Sequence, residues 1–335
     1  MSPSTFQPLS VGRLLLSVAC LLGLVIAQPA MSQEPRRPEC IAPASPGGGF
    51  DLTCKLAQSA LLQQGLLSSP MRVTYMPGGI GAVAYNAVAA QRSGEEGTIV
   101  AWSSGSLLNL AQGKFGRFDE QAVKWLAGVG TTYGALVVRA DSPFQDLDDL
   151  VEALRSNPGA VVIGAGGTVG SQDWMQTALM ARAAGIDPRA MRYVAMEGGG
   201  ELITALLGSH IQVASSDIAD TMPHVESGDV RVLAVFAEER LPGELASQVP
   251  TAIEQGYDIN WPVVRGFYVG PDVSEEAYDW WVEAFDTLLE TEEFAQLRAD
   301  RDMFPFAMTG DELRQYVDEQ VGLYRQMATE FGLIQ

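Results

Sequence analysis

The chain has 335 residues, enough for about two domains at roughly 100–200 residues each. Hydrophobic residues make up 47% and charged residues 19%, so sizeable cores can form and a disordered chain is excluded. Lys and Arg number 21 against 41 Asp and Glu, a formal net charge of −20, and a field of that sign excludes nucleic acid as a partner.

Residues 1–32 read as a secretory signal peptide. Arg13 precedes an uncharged apolar run from Leu14 to Ala27, and small residues follow at Ala27, Ala30 and Ser32. The expected cut lies after Ala27 or Ser32, with export across the membrane as the outcome. The run is short for a membrane-spanning helix. Lipid attachment at Cys20 is the rival reading; the apolar run continuing through Leu21, Leu22, Leu24, Val25 and Ile26 speaks against it. Removing the segment leaves Cys40 and Cys54. In an oxidising compartment these two are expected to pair, closing a loop of about 15 residues worth ~3 kcal/mol. Two buried free thiols are the alternative.

Residues 40–43, 72–76 and 98–102 read as strands, with helical patterns at 51–64, 82–91 and 106–112. Further strands are expected at 135–139, 160–164, 191–195, 211–215 and 230–236, with helical patterns between them. A last strand at 266–270 precedes helices at 274–290, 292–300 and 310–331. This alternation predicts an α/β fold with mostly parallel sheets built from βαβ units. Boundaries are expected near 140–142 and 260–265. The lone strand after the second boundary cannot form its own sheet and must return to the first. That gives a discontinuous first lobe, 33–140 plus 265–335, and an inserted second lobe, 141–264. Two crossings between them make a hinge over a cleft.

One turn type recurs where a strand hands over to a helix. The cases are Pro46-Gly47-Gly48-Gly49-Phe50-Asp51, Pro77-Gly78-Gly79-Ile80-Gly81, Ser103-Ser104-Gly105-Ser106, the stretch from Gly164 to Ser171, and Glu197-Gly198-Gly199-Gly200. A helix start offers free N–H groups and a partial positive charge, and glycine lets a ligand approach the backbone. Together they hold an anion without Lys or Arg. For any one turn, glycine needs no ligand to explain it. Five such turns spread over both lobes point to one site outside the carboxyl ends of the strands.

Other chemistries find no support. Gly128 to Gly134 and Gly164 to Gly170 each carry one residue too many for a dinucleotide fingerprint, and no P-loop exists. His210 and His224 stand near no nucleophile motif, and Cys40 and Cys54 lack zinc spacing. Asp146, Asp148 and Asp149 read as a helix start rather than a calcium loop. No catalysis, cofactor or metal is expected.

The glycine-rich motifs resemble those of the substrate-binding subunits of tripartite tricarboxylate transporters, above all the citrate-type members. The first loop with Asp51 and Cys54, the stretch from Tyr75 to Gly81, and the stretch from Gly166 to Ser171 carry the likeness. Trp261-Pro262 followed by Arg265-Gly266 is similar to the citrate-type subgroup and departs from the wider family's Trp-x-Gly. The resemblance implies a monomeric, two-lobed periplasmic-binding-protein fold of the Venus flytrap, type II-like kind. It implies a pincer of loops 46–51 and 166–171 on a ligand carboxylate, and delivery to a permease of one large and one small integral membrane subunit. On that basis the N–H groups of Gly48, Gly49, Phe50, Gly78, Gly79, Gly167 and Thr168 are expected to hold carboxylate oxygens, with Gly199 in the same set. Ser103, Ser104 and Ser171 are candidate hydroxyl donors. Arg265 is the candidate cation, or else the partner of a nearby acid. Asp51 is expected to cap its helix and stiffen the loop. Asp217 either accepts from a ligand hydroxyl or only starts a helix. The expected cargo is a tricarboxylate such as citrate. The alternative is a dicarboxylate or aromatic acid, for uptake or for signalling through a membrane sensor kinase.

Overall fold

The computed structural model describes Met1 and residues 34–335, so the signal-peptide reading and Cys20 lie outside the described residues. The first sheet is laid down by β1 (Glu39–Ala42), α1 (Gly49–Gln63), β2 (Arg72–Tyr75), α2 (Ala82–Ala90), β3 (Thr98–Ser103) and α3 (Ser104–Ala111). β1 lies between β2 and β3 and is parallel to both, with Glu39 in register with Arg72 and Thr98. Next comes β4 (Lys124–Arg139), 16 residues long. The second sheet is built through α4 (Leu147–Ser156), β5 (Val162–Gly166), α5 (Gln172–Ala183), β6 (Arg192–Met196), α6 (Gly199–Leu207), β7 (Val213–Asp217), α7 (Ile218–Glu226) and β8 (Val230–Val235). The chain then returns through β9 (Pro262–Val269), α8 (Glu275–Leu289), α9 (Glu292–Ala299), β10 (Met308–Thr309) and α10 (Gly310–Glu330).

Both sheets are mixed. Each has the expected parallel part, β2-β1-β3 in the first and β6-β5-β7 in the second. The antiparallel remainder comes from β4 and β9. β9 runs antiparallel to β3 and β4, and β4 also runs antiparallel to β7, β8 and β10. β4 belongs to both sheets. It pairs with β9 from Lys124 to Tyr133 and with β7 from Gly134 onward, so the chain passes between sheets inside this strand. The return passage is stitched to the same point: Phe236 N–H donates to the Gly134 carbonyl at 2.7 Å, and Gly134 N–H to the Trp261 carbonyl at 3.1 Å.

The segment from Gly128 to Gly134, which mimics a nucleotide loop, is the middle of β4. Its glycines make room for packing. A Cβ would lie 2.5 Å from the Phe306 ring at Gly128, 2.8 Å from Met303 at Gly130 and 2.7 Å from Gln176 at Gly134. Cys40 of β1 and Cys54 of α1 form the expected disulfide, so the first glycine-rich turn is closed into a covalent loop. Asp146 caps α4 by accepting from Asp149 N–H at 3.0 Å, the helix start expected there. α10 lies against α3 and β4, and the Phe331 ring that follows it meets Trp174 of α5 edge-on. Among the described residues no helix is long and apolar enough to cross a membrane.

Candidate functional site

The carboxyl ends of β1, β2, β3, β5 and β6 carry the glycine-rich turns, β7 leads directly into α7, and these ends converge. β9 adds Arg265, which stands opposite Ser103 in the antiparallel ladder. Gly49 receives the guanidinium directly: a Cβ there would lie 1.7 Å from Arg265 Nη1. Gly48 rests on Gly199, where a Cβ on Gly48 would meet the Gly199 nitrogen at 3.0 Å. The first-sheet loop at 46–49 therefore touches the second-sheet turn at 198–200 backbone to backbone.

Two adjoining cavities lie between these turns. The inner one, of about 50 Å³, is walled by Gly48, Gly49, Phe50, Ser103, Gly199, Asp217 and Arg265 from the expected set, and also by Gln172, Asp173 and Asp220. The outer one, of about 380 Å³, takes in Gly79, Gly167 and Thr168 together with Asn109, Lys114 and Glu201. Ile80 and Glu197 belong to both walls. Asp51, Gly78, Ser104 and Ser171 line neither. A larger groove of about 700 Å³ sits at the opposite, amino end of the first sheet. There Arg72 and Arg92 both pair with Glu39, at 3.1 and 2.6 Å, and the groove lies away from the glycine-rich turns.

Two of the expected N–H donors are already engaged, and three of the expected hydroxyls act as acceptors. Gly49 N–H donates to Asp220 Oδ2 at 3.0 Å, so the anion held at the start of α1 is the chain's own carboxylate. Gly167 N–H donates to the Met196 carbonyl at 2.7 Å. The Ser103 hydroxyl accepts from Gly105 N–H, Ser104 Oγ from Val264 N–H at 2.9 Å, and Ser171 Oγ from Trp174 N–H. These three serines fix helix starts and strand positions. Gly78 serves the turn itself: its φ of +133° is open to glycine, and its carbonyl accepts from Val83 N–H.

Asp51 stiffens its loop, although the cap position is Gly48. Its Oδ2 accepts from Gly47 N–H and Lys55 Nζ, each at 2.8 Å, and its Oδ1 accepts from the Tyr75 hydroxyl at 2.9 Å. Asp217 stands at a helix start, one of the two roles weighed for it in the sequence. It occupies the cap position of α7 without a capping bond, and its carboxylate turns inward to the Arg265 guanidinium. Gln172 and Gln176 donate to it as well. Arg265, 3% exposed, is the partner of a nearby acid, the alternative weighed for it, with Asp220 Oδ1 3.6 Å from its Nη2.

The residues that sequence reasoning missed are mostly acids. Asp173 sits in the first turn of α5, and Asp220 in the first turn of α7. Acids at helix starts were visible in the sequence; that two of them face the same cavity was not. Burial raises the pKa of all three inner aspartates. Asp217 is pushed up to about 6 against the opposing pull of Arg265. Asp173 is raised well above the usual carboxylate range by burial and then by the neighbouring Asp217 charge. Asp220 is raised by burial, with Arg265 and the Gly49 N–H working the other way. No cluster of metal-ligating side chains exists among the described residues.

Two sheets that share one long strand, with helix starts from both facing one cleft, are the architecture of a two-lobed solute-binding receptor. A family model described as the tripartite tricarboxylate transporter family receptor matches residues 64–333, and the chain belongs to that family. The first glycine-rich loop lies before the matched residues. Among curated proteins, the UPF0065 protein in the gbd 5' region of Cupriavidus necator is 26% identical over 61% of this chain, and the match spans 60% of that relative's length. Among solved structures, the periplasmic binding protein BugD shares 18% identity with a TM-score of 0.79 over 89% of this chain and 99% of its own. MatC from Rhodopseudomonas palustris with bound malate shares 20% identity with a TM-score of 0.74, over 86% of this chain and 97% of its own.

Proposed function

We propose that this protein captures a small carboxylate in the periplasm and delivers it to the large and small integral membrane subunits of a tripartite transporter. The observation that carries the reading is the convergence of five strand-to-helix turns, from both sheets, on two adjoining cavities. Membership of the receptor family supports the same role. In this reading the lobes are 33–140 with 265–335, and 141–264. They rock about β4 and the return passage into β9, closing loops 46–51 and 166–171 over the ligand. A tricarboxylate such as citrate is the first ligand to test. Calorimetric titration of the purified mature protein with citrate, isocitrate, tricarballylate and succinate decides it, and no heat from any of them sinks the tricarboxylate reading.

One observation favours a second reading. Among the described residues, Arg265 and Lys114 are the two cations in the cavity walls, and Arg265 is paired with Asp217. Such a cleft suits a dicarboxylate better than a third negative charge, and the related fold of MatC holds malate. Succinate binding tighter than citrate selects this reading.

A further inference from the structure

The turn between β2 and α2 is built from positive backbone angles. Gly78, Gly79 and Gly81 have φ of +133°, +61° and +101°, and Ile80 among them stands at φ +48° and ψ +54°. Glycine takes such angles freely, whereas a β-branched side chain there is a genuine outlier. Four non-glycine residues among the described ones have positive φ, and Ile80 is the β-branched one. A glycine would suit position 80 as it suits the neighbouring positions. The chain keeps an isoleucine there at conformational cost, and a cost of that kind points to a function for the side chain.

Ile80 and Glu197 are the two residues that belong to the walls of both chambers. Glu197 is exposed, and its backbone N–H donates to Glu201 Oε2 at 2.8 Å. Ile80 is half-buried and packs against the core that contains Phe50 of α1. It also reaches across the cleft to the second sheet's loop, where a Cβ on Gly167 would lie 2.8 Å from Ile80 Cγ1. A branched apolar side chain thus stands where the inner chamber of about 50 Å³ meets the outer one of about 380 Å³. The inner chamber has room for roughly three or four water-sized groups, the size of one carboxyl group and its neighbouring carbon. A ligand that brings a carboxyl group to the inner wall therefore has its next atoms beside Ile80 and its remainder in the outer chamber.

We propose that Ile80 is a specificity-determining partition: it admits an unbranched carboxylate arm to the inner chamber and rejects one that carries a substituent where the chambers join. The proposal rests on the dicarboxylate reading of this cleft and narrows the ligands it takes. Calorimetry on the purified mature protein tests it with pairs of equal charge, glutarate against 3,3-dimethylglutarate and succinate against tetramethylsuccinate. Citrate, with two substituents on its central carbon, is titrated alongside as a further branched acid. The unbranched member of each pair binds roughly tenfold tighter or more. Ile80→Gly, at an angle that glycine takes freely, melts close to the parent protein and loses most of that ratio because the branched acid gains. Ile80→Asn, a residue that tolerates left-handed backbone, loses it too, which keeps the test decisive if the glycine variant loosens the turn. A parent protein that binds both members of a pair equally, or variants that keep the parent's ratio, overturn the partition and leave the dicarboxylate reading standing. Citrate binding the parent more tightly than glutarate and succinate overturns the dicarboxylate reading and the partition together. No heat from any of these acids overturns carboxylate capture itself, and the partition with it.

Discussion

The backbone N–H of Gly49 donates to Asp220 Oδ2 at 3.0 Å, across 171 residues of sequence and from one sheet's helix start to the other's. The helix start expected to receive a ligand anion therefore already holds one, supplied by α7. With Arg265 between Asp217 and Asp220, this contact ties the two sides of the cleft together.

Replacing Arg265 tests how that tie is balanced. Arg265→Met leaves Asp217 and Asp220 enclosed without their cation, and losing one member of a buried pair costs about 3–5 kcal/mol. The expected result is a large drop in melting temperature near neutral pH that shrinks toward pH 5, where the aspartates take up protons. Thermal unfolding across that range measures it; a drop that does not depend on pH places the loss in packing instead.

Stability of the unliganded protein should rise as pH falls from about 7 toward 4. The Asp217 pKa is pushed up to about 6 from its ordinary value of 3.8. A folded chain that holds its proton more tightly than the unfolded chain gains stability. That gain is complete below the unfolded pKa and is lost as pH rises through about 6. The span corresponds to on the order of 2–3 kcal/mol. Chemical denaturation at several pH values gives the slope, and Asp217→Asn should flatten it.

Gly49→Ala puts a methyl group 1.7 Å from the Arg265 guanidinium. The guanidinium or the loop has to move, at a cost of about 1–3 kcal/mol by analogy with overpacked cores. Ligand affinity is expected to fall along with stability, because the displaced groups are the cleft wall. Unchanged binding by calorimetry would separate Arg265 from the ligand.

The disulfide between Cys40 and Cys54 staples β1 to the helix that carries Gly49. Cys54→Ser should cost ~3 kcal/mol in the chain-entropy model. It should also weaken binding, since the loop before α1 loses its tether. A variant that unfolds earlier yet binds with full affinity shows the staple serving stability alone.

Gly200 tests closure itself. A Cβ there would lie 2.6 Å from the Pro46 carbonyl oxygen, so Gly200→Val should hold the two turns apart. Small-angle scattering should then give a larger radius of gyration than that of the parent protein; an equal value would mean that this contact does not set the cleft opening.

Most strands and helices were legible because apolar periodicity and glycine punctuation are local signals. The glycine-rich turns, the disulfide partners and Arg265 were legible for the same reason: each is marked by residue type at a chain position. The front half of β4 was not. Its glycines at 128, 130 and 134 resemble a loop until Phe306, Met303 and Gln176 are seen filling the space above them. The mixed sheets were missed with it, since a strand's direction depends on where the return passage at 236–261 brings β9.

By itself the sequence determined an α/β chain with helix starts rich in free N–H groups and glycine. Only the tertiary structure decided what those helix starts face. It placed Asp173, Asp217 and Asp220, spread over 48 residues, in the wall of one cavity with Arg265 beside the last two, and it set Asp220 on the N–H of Gly49. A local pattern can announce that a site attracts negative charge. Whether the chain fills that site with its own carboxylate is a question of distance between remote segments, and folding alone sets that distance.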